Sequence, residues 1–229
     1  MISVCLATYN GEKYIKEQLD SILCQLGGTD EVIVSDDGSS DRTLSIVAAY
    51  NDSRITVLNN KNHGYVHNFE NALKRVKGQY VFLSDQDDIW LPNKVEQCLL
   101  LLQRYVMVNH NSMLADGDGH PSGVDFFTQH RSKGGFWQTI LRNSYSGCCM
   151  AFRKEILNFA LPFPKNVISH DIWLGLIAEK KGETFFYDKP LIYYRRHGNN
   201  ASSTSSKSQL SLWTQLKYRS YMLFHSLTR

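Results

Sequence analysis

Hydrophobic and polar positions follow a repeating pattern along the first hundred residues of the chain. Short apolar runs predict buried strands at Ile2 to Ala7, Glu31 to Ser35, Arg54 to Leu58 and Tyr80 to Ser84. Each run is followed by a segment in which apolar residues recur at helical spacing. Repeated units of strand and helix with nearly continuous apolar strands predict an α/β fold, in which a mostly parallel sheet is flanked by helices.

The helices of this pattern are predicted at Glu12 to Gln25, Asp41 to Tyr50, Tyr65 to Val76 and Asn93 to Arg104. Asn10 is expected to cap the first of them. Beyond residue 105 the alternation is weaker. Strands are predicted there at Tyr105 to Leu114, Gly147 to Arg153, Thr184 to Tyr187 and Leu191 to Tyr194, and helices at Phe136 to Arg142 and Asp171 to Lys180. The stretch from His120 to Gly135 is expected to be a loop.

Composition narrows the class of protein without identifying it. The chain has 229 residues, 42% of them hydrophobic, and a formal net charge of +3, which together describe a globular protein without a nucleic-acid partner. Its five cysteines have no metal-binding spacing, and Cys5, Cys98 and Cys148 lie in apolar stretches, which predicts buried free thiols in a reducing compartment. The sequence shows neither a secretory signal nor an apolar segment that would span a bilayer, so we expect a cytoplasmic location.

Acidic residues follow two of the predicted strands directly. Asp85, Asp87 and Asp88 come after the fourth strand, and Asp36 and Asp37 come after the second. Because carboxyl ends of parallel strands meet at one edge of the sheet, we expect these acids to share one rim. Carboxylate oxygens suit Mg²⁺ or Mn²⁺, which often complete their coordination with phosphates. The simpler alternative is that these acids form turns and cap the following helices.

Thr8, Tyr9 and Asn10 occupy the corresponding position after the first strand. The ring of Tyr9 could stack on a nucleotide base there, or it could be an ordinary half-buried aromatic residue of a loop. Asp171 opens a predicted helix in the second half of the chain, and from its spacing alone it is most simply an amino-terminal cap.

Several segments together resemble the family 2 glycosyltransferases, enzymes with a GT-A-type fold that transfer sugar from a nucleotide donor with inversion at the anomeric carbon. The matching segments are residues 3–11, 34–41 and 82–90, and His170-Asp171-Ile172-Trp173. Their order and spacing match the family over about residues 1 to 200. The segments 84–90, 170–173 and 194–200 are most similar to the bacterial rhamnosyltransferase-like subgroup, which builds O-antigen or capsule.

The resemblance implies roles for the residues that match. Thr8, Tyr9 and Asp37 would bind the nucleotide base, and Asp85 would lie near the ribose and the metal ion. Asp87 would be the direct ligand of Mg²⁺ or Mn²⁺. Asp171 would be the catalytic base, because an acceptor hydroxyl must lose its proton as it attacks the sugar.

Further candidates follow the last predicted strand or flank these acids. Arg195 and Arg196 could close on the diphosphate, and His197 could complete the coordination of the metal, although a solvated basic turn would show the same sequence. Asp88 and Trp173 are added as candidates for contacts with the diphosphate or the acceptor.

The carboxyl-terminal part differs from the rest in composition. Residues 1–200 are predicted as the catalytic domain, with nucleotide-sugar binding in residues 1–110 and the acceptor and base in residues 111–200. Serine-rich residues 201–208 predict a linker, and residues 209–229 predict a basic amphipathic helix. Such a helix suits the surface of an anionic membrane, and it could equally pack on the catalytic domain or on a partner.

These features predict a metal-dependent inverting transferase in bacterial surface polysaccharide synthesis. Its donor would be dTDP-L-rhamnose or a UDP-hexose, and its acceptor a glycan or a polyprenyl-diphosphate-linked sugar. A single sugar is expected because the Gln-x-x-Arg-Trp motif of processive members is missing. One alternative is a magnesium-binding signalling module, although such a module would be shorter than this chain. A second is a sugar-phosphate nucleotidyltransferase, which should have a glycine-rich basic loop after the first strand. A third is a transferase that is retained only for binding.

Overall fold

The computed structural model describes residues 1–198 and 211–229, and these form one nine-stranded sheet with helices on both faces. The strands are β1 Ile2–Thr8, β2 Glu31–Asp36, β3 Ile55–Asn59, β4 Tyr80–Asp85, β5 Ile89–Trp90, β6 Met107–Ala115, β7 Pro121–Asp125, β8 Met150–Arg153 and β9 Thr184–Arg195. The order across the sheet is β3-β2-β1-β4-β8-β6-β9-β5, and β7 pairs with β6. The serine-rich segment at residues 201–208 lies outside the described residues.

The helices are α1 Ile15–Leu23, α2 Thr43–Ala49, α3 Tyr65–Leu73, α4 Lys94–Leu102, α5 Phe126–His130, α6 Phe136–Leu141, α7 Leu157–Ala160, α8 His170–Lys181 and α9 Leu212–Leu227. Short 3₁₀ turns precede β8 and α7. None of the described helices combines the length and the hydropathy that spanning a bilayer requires.

The first four strands of the sheet order are parallel, as the sequence pattern predicts. β3, β2, β1 and β4 pair in that direction, so their carboxyl ends lie along one edge. The side chains of β1 and β2 are buried on both faces of the sheet. Val4 and Leu6 pack with α1 and α4, whereas Cys5 of the same strand packs with Phe69 of α3 and Trp173 of α8. Burial on both faces explains the nearly continuous apolar runs.

The second half of the sheet is mixed. β8 is antiparallel to both β4 and β6, and β9 is parallel to β6. The two strands predicted at Thr184 to Tyr187 and Leu191 to Tyr194 are one strand, whose register with β6 shifts near Pro190. The end of β9 pairs with β5, which the sequence did not predict. This pairing brings residues 192–195 beside the acidic segment that ends β4.

Two local predictions were wrong. Asn10 does not cap α1, because the helix begins later and the side-chain oxygen of Asn10 accepts a hydrogen bond from the backbone N–H of Ser40. The stretch from His120 to Gly135 is not wholly a loop, because it contains β7 and α5. Asp125 caps α5 through the N–H of Thr128, and it also accepts a hydrogen bond from Asn111 of β6.

Helix α9 packs on the catalytic domain along one of its faces. Met222 is buried, and Tyr218, Tyr221 and Leu223 pack against the core that contains α8. Lys180 of α8 donates hydrogen bonds of 2.9 Å to the carbonyls of Ser226 and Leu227, which are among the last carbonyls of α9. A cation at a helix carboxyl terminus also complements the helix dipole.

Gly175 allows close packing between α8 and Tyr145. A Cβ at this position would lie 2.5 Å from ring carbons of Tyr145, which is buried and donates a hydrogen bond to Glu179. Overpacking costs about 1–3 kcal/mol, more than the roughly 1 kcal/mol by which alanine favours a helix over glycine. Gly175→Ala should therefore lower the free energy of unfolding, measured as an earlier midpoint in urea.

The matched control is Gly28→Ala. A Cβ at Gly28 would meet no atom within 4 Å. The control should keep the midpoint of the parent protein. Equal midpoints for the two variants would contradict the packing argument.

Candidate active site

A cleft of about 390 Å³ opens at the carboxyl ends of β1, β2 and β4. It is lined by Ala7, Thr8, Tyr9, Asp37, Tyr65, Asn68, Phe69, Asp85, Gln86, Asp87, Ser146, Gly147, Ser169, His170, Asp171 and Tyr194. The structure therefore brings together six of the residues that the sequence singled out, Thr8, Tyr9, Asp37, Asp85, Asp87 and Asp171.

The two acids after β2 have different surroundings. Asp36 is buried and organises the turn, because its carboxylate accepts hydrogen bonds from Thr8 Oγ1 at 2.8 Å and from the N–H groups of Gly38 and Ser39. Asp37 lines the cleft and accepts hydrogen bonds of 2.8 Å from Asn60 Nδ2 and the N–H of Gly64. Asp36 thus shapes the loop, and Asp37 presents a carboxylate to a ligand.

Gln86 fixes the position of Tyr9 at the mouth of the cleft. Its side-chain oxygen accepts a hydrogen bond of 2.8 Å from the N–H of Tyr9, and its nitrogen donates one of 2.9 Å to the carbonyl of Tyr9. Any Cβ at Gly11 would collide with this amide. Tyr9 is 56% exposed at the mouth of the cleft, where a base could meet its ring. Sequence reasoning missed Gln86 because only the acids around it suggested chemistry.

Asp85 and Asp87 concentrate negative charge at the end of β4. Burial, with the nearby Asp87 carboxylate, raises the pKa of Asp85 to about 7. Burial also raises the pKa of Asp87, opposed by the hydrogen bond between its Oδ2 and Nε2 of His197 at 2.8 Å. The His197 ring stacks on Tyr14 with 4.7 Å between ring centres. This arrangement places carboxylates and an imidazole where a cation would relieve the repulsion.

Sequence reasoning did not single out a lysine that is buried beneath these acids. Lys94 of α4 is fully buried, and its ammonium group donates a 2.9 Å hydrogen bond to the carbonyl of Cys148 above the Trp90 ring. Burial lowers the pKa of Lys94, while the charge of Lys94 acts to lower the pKa of Asp85. Helical periodicity predicts buried positions from apolar residues only, so the burial of a lysine in α4 could not be predicted from it.

Besides His197, which reaches the cleft through its hydrogen bond to Asp87, four sequence candidates do not line it as the described residues form it. Trp173 is fully buried, and its indole N–H donates to the carbonyl of Ala160 in the core, so its assignment to the acceptor is corrected. Asp88 is buried behind the cleft and accepts a hydrogen bond from the N–H of Arg195. Arg196 also lies outside the lining, and its N–H donates to the carbonyl of Ala115.

Arg195 is the fourth of these residues, and its guanidinium group joins three segments. It donates to the carbonyls of Asp87 and Gly117 at 2.8 and 3.2 Å and pairs with Glu17. The Arg195 side chain is only 3% exposed. Arg195 therefore braces the acidic segment from behind instead of facing the cleft as a diphosphate ligand.

Asp171 lies in the first turn of α8 with its carboxylate held on both sides. Oδ1 accepts hydrogen bonds from the hydroxyl of Ser169 and from the N–H of Ile172. Nδ2 of Asn143 donates to Oδ2 at 3.3 Å, and Asn143 is itself held by the backbone of Tyr145. One carboxylate oxygen is thus occupied by α8, and the other meets an amide from another segment.

His170 forms part of the cleft wall next to Asp171. Its ring stacks on Phe69 with 4.0 Å between ring centres, and any Cβ at Gly147 would collide with Nε2. Burial lowers the pKa of His170 to about 4, so the imidazole is neutral at physiological pH. This neutral ring adds no charge to a cleft that already contains several carboxylates.

The donor set fits a divalent cation of the magnesium or manganese type. Asp85 and Asp87 offer oxygen ligands from the cleft side, and Nε2 of His197 reaches Asp87. Ligand atoms of Asp85, Asp88 and Cys148 also lie within 4.8 Å of one another. Thiolate suits softer metals, so the harder ions would be held by the carboxylates.

Comparison with known proteins identifies the family. The sequence model of Glycosyl transferase family 2 matches residues 3–159. The chain belongs to glycosyl transferase family 2. It is 31% identical to the dTDP-rhamnosyl transferase RfbG of Shigella flexneri, over 85% of this chain and 72% of RfbG. It is 26% identical to the UDP-Glc:alpha-D-GlcNAc-diphosphoundecaprenol beta-1,3-glucosyltransferase WfgD of Escherichia coli, over 94% of this chain and 85% of WfgD.

Solved structures show the same fold. S. aureus TarS 1-349 in complex with UDP-GlcNAc superposes with a TM-score of 0.76 at 21% identity, covering 97% of this chain and 66% of TarS 1-349. The mannosyltransferase PcManGT from Pyrobaculum calidifontis, in complex with GDP-Man and Mn²⁺, has a TM-score of 0.62 at 23% identity, covering 82% of this chain and 54% of PcManGT. The GT-A-type prediction is thereby confirmed. The family 2 chain is a glycosyltransferase, and neither the signalling module nor the nucleotidyltransferase agrees with this assignment.

Asn143 generates a prediction for this family 2 site. Asn143→Ala should lower kcat by about 10- to 100-fold with little change in the KM for the donor, because Asp171, the base that the family resemblance implies, would lose its orientation. Asn143→Asp should move the acid limb of the pH–rate profile to higher pH, because a second carboxylate there disfavours the charged form of Asp171. The exposed Asn158→Ala is the matched control. An unchanged kcat in Asn143→Ala, or an unmoved profile in Asn143→Asp, would contradict this role.

Proposed function

We propose that the chain transfers one sugar, with inversion, from a pyrimidine nucleotide-sugar to a hydroxyl group of an acceptor, in the synthesis of a bacterial surface polysaccharide. One observation carries the proposal. Asp37, Asp87 and Asp171, which are distant in sequence, line a single cleft beside the exposed ring of Tyr9. Such a cleft can bind a nucleotide, a cation and an incoming alcohol side by side.

The donor would occupy the part of the cleft formed by β1 and β2. Tyr9 would stack on the base, the carboxylate of Asp37 would accept a hydrogen bond from the ring N3–H of a pyrimidine, and Thr8 would line the base site. Gln86 keeps the backbone of Tyr9 in place for this stacking. The similarity to RfbG favours dTDP-L-rhamnose as donor, and the similarity to WfgD keeps a UDP-hexose as the alternative.

Mg²⁺ or Mn²⁺ would be held by Asp87, with Asp85 and His197 nearby. When bound, the ion would neutralise negative charge that develops on the leaving diphosphate. Burial is the main cause of the raised pKa values of Asp85 and Asp87, and a bound cation would favour the charged form of both carboxylates. Mn²⁺ in PcManGT supports use of a divalent ion, and the choice between magnesium and manganese stays part of the proposal.

Asp171 would act as the general base. Its Oδ2 would take the proton of the acceptor hydroxyl as that oxygen attacks the anomeric carbon opposite the leaving diphosphate. Ser169, Ile172 and Asn143 keep the carboxylate oriented for that transfer. A single displacement inverts the anomeric centre, so no covalent intermediate with the protein is required.

The acceptor would be a glycan or a sugar linked to a polyprenyl diphosphate. WfgD acts on a diphosphoundecaprenol-linked sugar by its name, which supports a lipid-linked acceptor for this chain. The acceptor would approach from the side of Tyr65, Ser169 and Asp171. The division into nucleotide-binding residues 1–110 and acceptor residues 111–200, and a cytoplasmic location at the inner face of the cell membrane, stay predictions.

Replacement of the base tests the chemistry separately from donor binding. Asp171→Asn should lower the rate of transfer by about 10²–10⁴-fold, because an amide cannot accept the acceptor proton. Nucleotide binding with Mn²⁺, measured by calorimetry, should remain close to that of the parent. Asp20→Asn, which changes an exposed acid paired with Lys16, is the matched control. Retained turnover in Asp171→Asn would remove this residue from the mechanism.

Metal-dependent nucleotide binding gives a second test. With Mn²⁺ present, dTDP and UDP should raise the melting temperature more than GDP does, because the base site suits a pyrimidine. A nucleotide at about 100 times its Kd adds roughly 2.7 kcal/mol to the free energy of unfolding. Chelation of the ion, or Asp87→Asn, should remove most of this stabilisation. If dTDP raised the melting temperature equally with and without the ion, the proposed metal site would be contradicted.

A further inference from the structure

Helix α9 has a second apolar face, which the fold leaves exposed. Met222, Tyr218, Tyr221 and Leu223 pack on the catalytic domain. The outer face, defined by Trp213, Leu216, Phe224 and Leu227, is 83%, 54%, 64% and 59% exposed in that order. At helical spacing, these four residues and Ser220 between them fall on one side of the helix. Packing on the catalytic domain therefore does not explain why the residues of the outer face are apolar.

Large exposed apolar residues continue onto the neighbouring helix α6, which packs beside α9. Trp137 and Leu141 of α6 are 65% and 61% exposed. Monomeric proteins seldom leave several large apolar side chains exposed together without a partner. The amount of exposed apolar surface alone does not identify that partner, but the charge around it does.

Basic residues surround the outer face. No Asp or Glu occurs after Asp188, so α9 contains Lys217 and Arg219 without any acidic residue. Residues 126–182, which include α5 to α8, contain eight Lys or Arg and three Asp or Glu. Lys217 lies beside Trp213 and Leu216, and Lys133 and Arg142 are exposed at the two ends of α6. An anionic surface would complement this charge, whereas a second copy would repel it.

We propose that the outer face of α9 docks on the surface of an anionic phospholipid bilayer. The helix of 16 residues would lie in the interface with Trp213 and Phe224 inserted at headgroup level and Lys217 facing the lipid phosphates. This mode of binding suits a helix too short and too polar to span the membrane. The inner face of α9 packs on the catalytic domain, and Lys180 of α8 is bonded to the end of α9. Docking of α9 would therefore also fix the orientation of the catalytic domain relative to the bilayer.

Helix α9 contacts the segment that leads to the acceptor side of the cleft, and this part of the inference rests on the proposed function. Tyr221 of α9 accepts a hydrogen bond at its hydroxyl from the N–H of Asn166. Three residues further along, Ser169 begins the segment that lines the cleft up to Asp171. Tyr65 of the cleft donates to the carbonyl of Ile168, which is itself exposed. Docking would therefore hold the base near the bilayer, where the sugar of a lipid-linked acceptor is located.

Flotation with vesicles tests the docking directly. The whole chain should float with vesicles of equimolar phosphatidylglycerol and phosphatidylcholine, should float poorly with phosphatidylcholine alone, and should be released by high salt. Trp213→Ser combined with Phe224→Ser should reduce binding by roughly tenfold or more, since both aromatic anchors are lost. Lys217→Glu should weaken binding to anionic vesicles several-fold and leave binding to phosphatidylcholine unchanged.

The matched control combines Leu44→Ser with Leu100→Ser, which removes two exposed apolar side chains from α2 and α4. This control should float like the parent. Equal flotation of the parent and the Trp213/Phe224 variant would overturn the proposal. So would a dimer of the parent, seen by sedimentation and lost in that variant, because a second copy would then cover the face.

A separate readout distinguishes failure of the docking from failure of the proposed function. Mn²⁺-dependent hydrolysis of the nucleotide-sugar should be the same in the parent, the Trp213/Phe224 variant and the control, because none of the changed residues lines the cleft. Hydrolysis without flotation would refute the docking alone. Flotation without hydrolysis of any donor would refute the proposed function and leave the docking surface supported.

Discussion

Repulsion among carboxylates in a partly buried cleft is the constraint on which the site depends. Asp37, Asp85, Asp87 and Asp171 share a cleft, and at Asp85 and Asp87 burial makes the negative charge costly and raises the pKa of both carboxyl groups. The protein offsets this cost with hydrogen bonds from neutral donors such as Asn60, Asn143 and Ser169, and with the buried cations Lys94 and Arg195. The offset is incomplete at Asp85 and Asp87, whose pKa values stay raised, and a divalent ion bound there would favour their charged forms. The chemistry proposed for the chain therefore follows from an electrostatic imbalance that the fold creates.

The second half of the sheet completes this site from behind. The β5 to β9 pairing brings the end of β9 against the acidic segment after β4. Arg195 can then donate to the carbonyl of Asp87, and His197, two residues on, can reach the carboxylate of the same residue. The two basic neighbours make different contacts: the arginine donates to the backbone of Asp87, and the histidine meets its carboxylate. Burial separates them, because the Arg195 side chain is almost wholly enclosed.

Helix α8 connects the chemistry to the surface of the molecule. Its amino terminus holds Asp171 in the cleft, and its carboxyl terminus holds α9 through Lys180. Twelve residues of helix span about 18 Å, so α8 can carry the proposed base at one end and hold the proposed docking helix α9 at the other. The resemblance to known transferases predicted the base, whereas the two-faced packing of α9 required the structure.

The sequence by itself determined the parallel half of the sheet and the rim on which the acids lie, because apolar runs and strand ends are local properties. It also determined the family, since the motifs around Tyr9, Asp37, Asp87 and Asp171 are contiguous. Tertiary structure alone decided the direction of β8, the pairing of β5 with β9, the burial of Lys94 and Trp173, and the contact of Asn143 with the base. Each of these depends on residues far apart in the chain, whose approach is set by packing and not by local pattern.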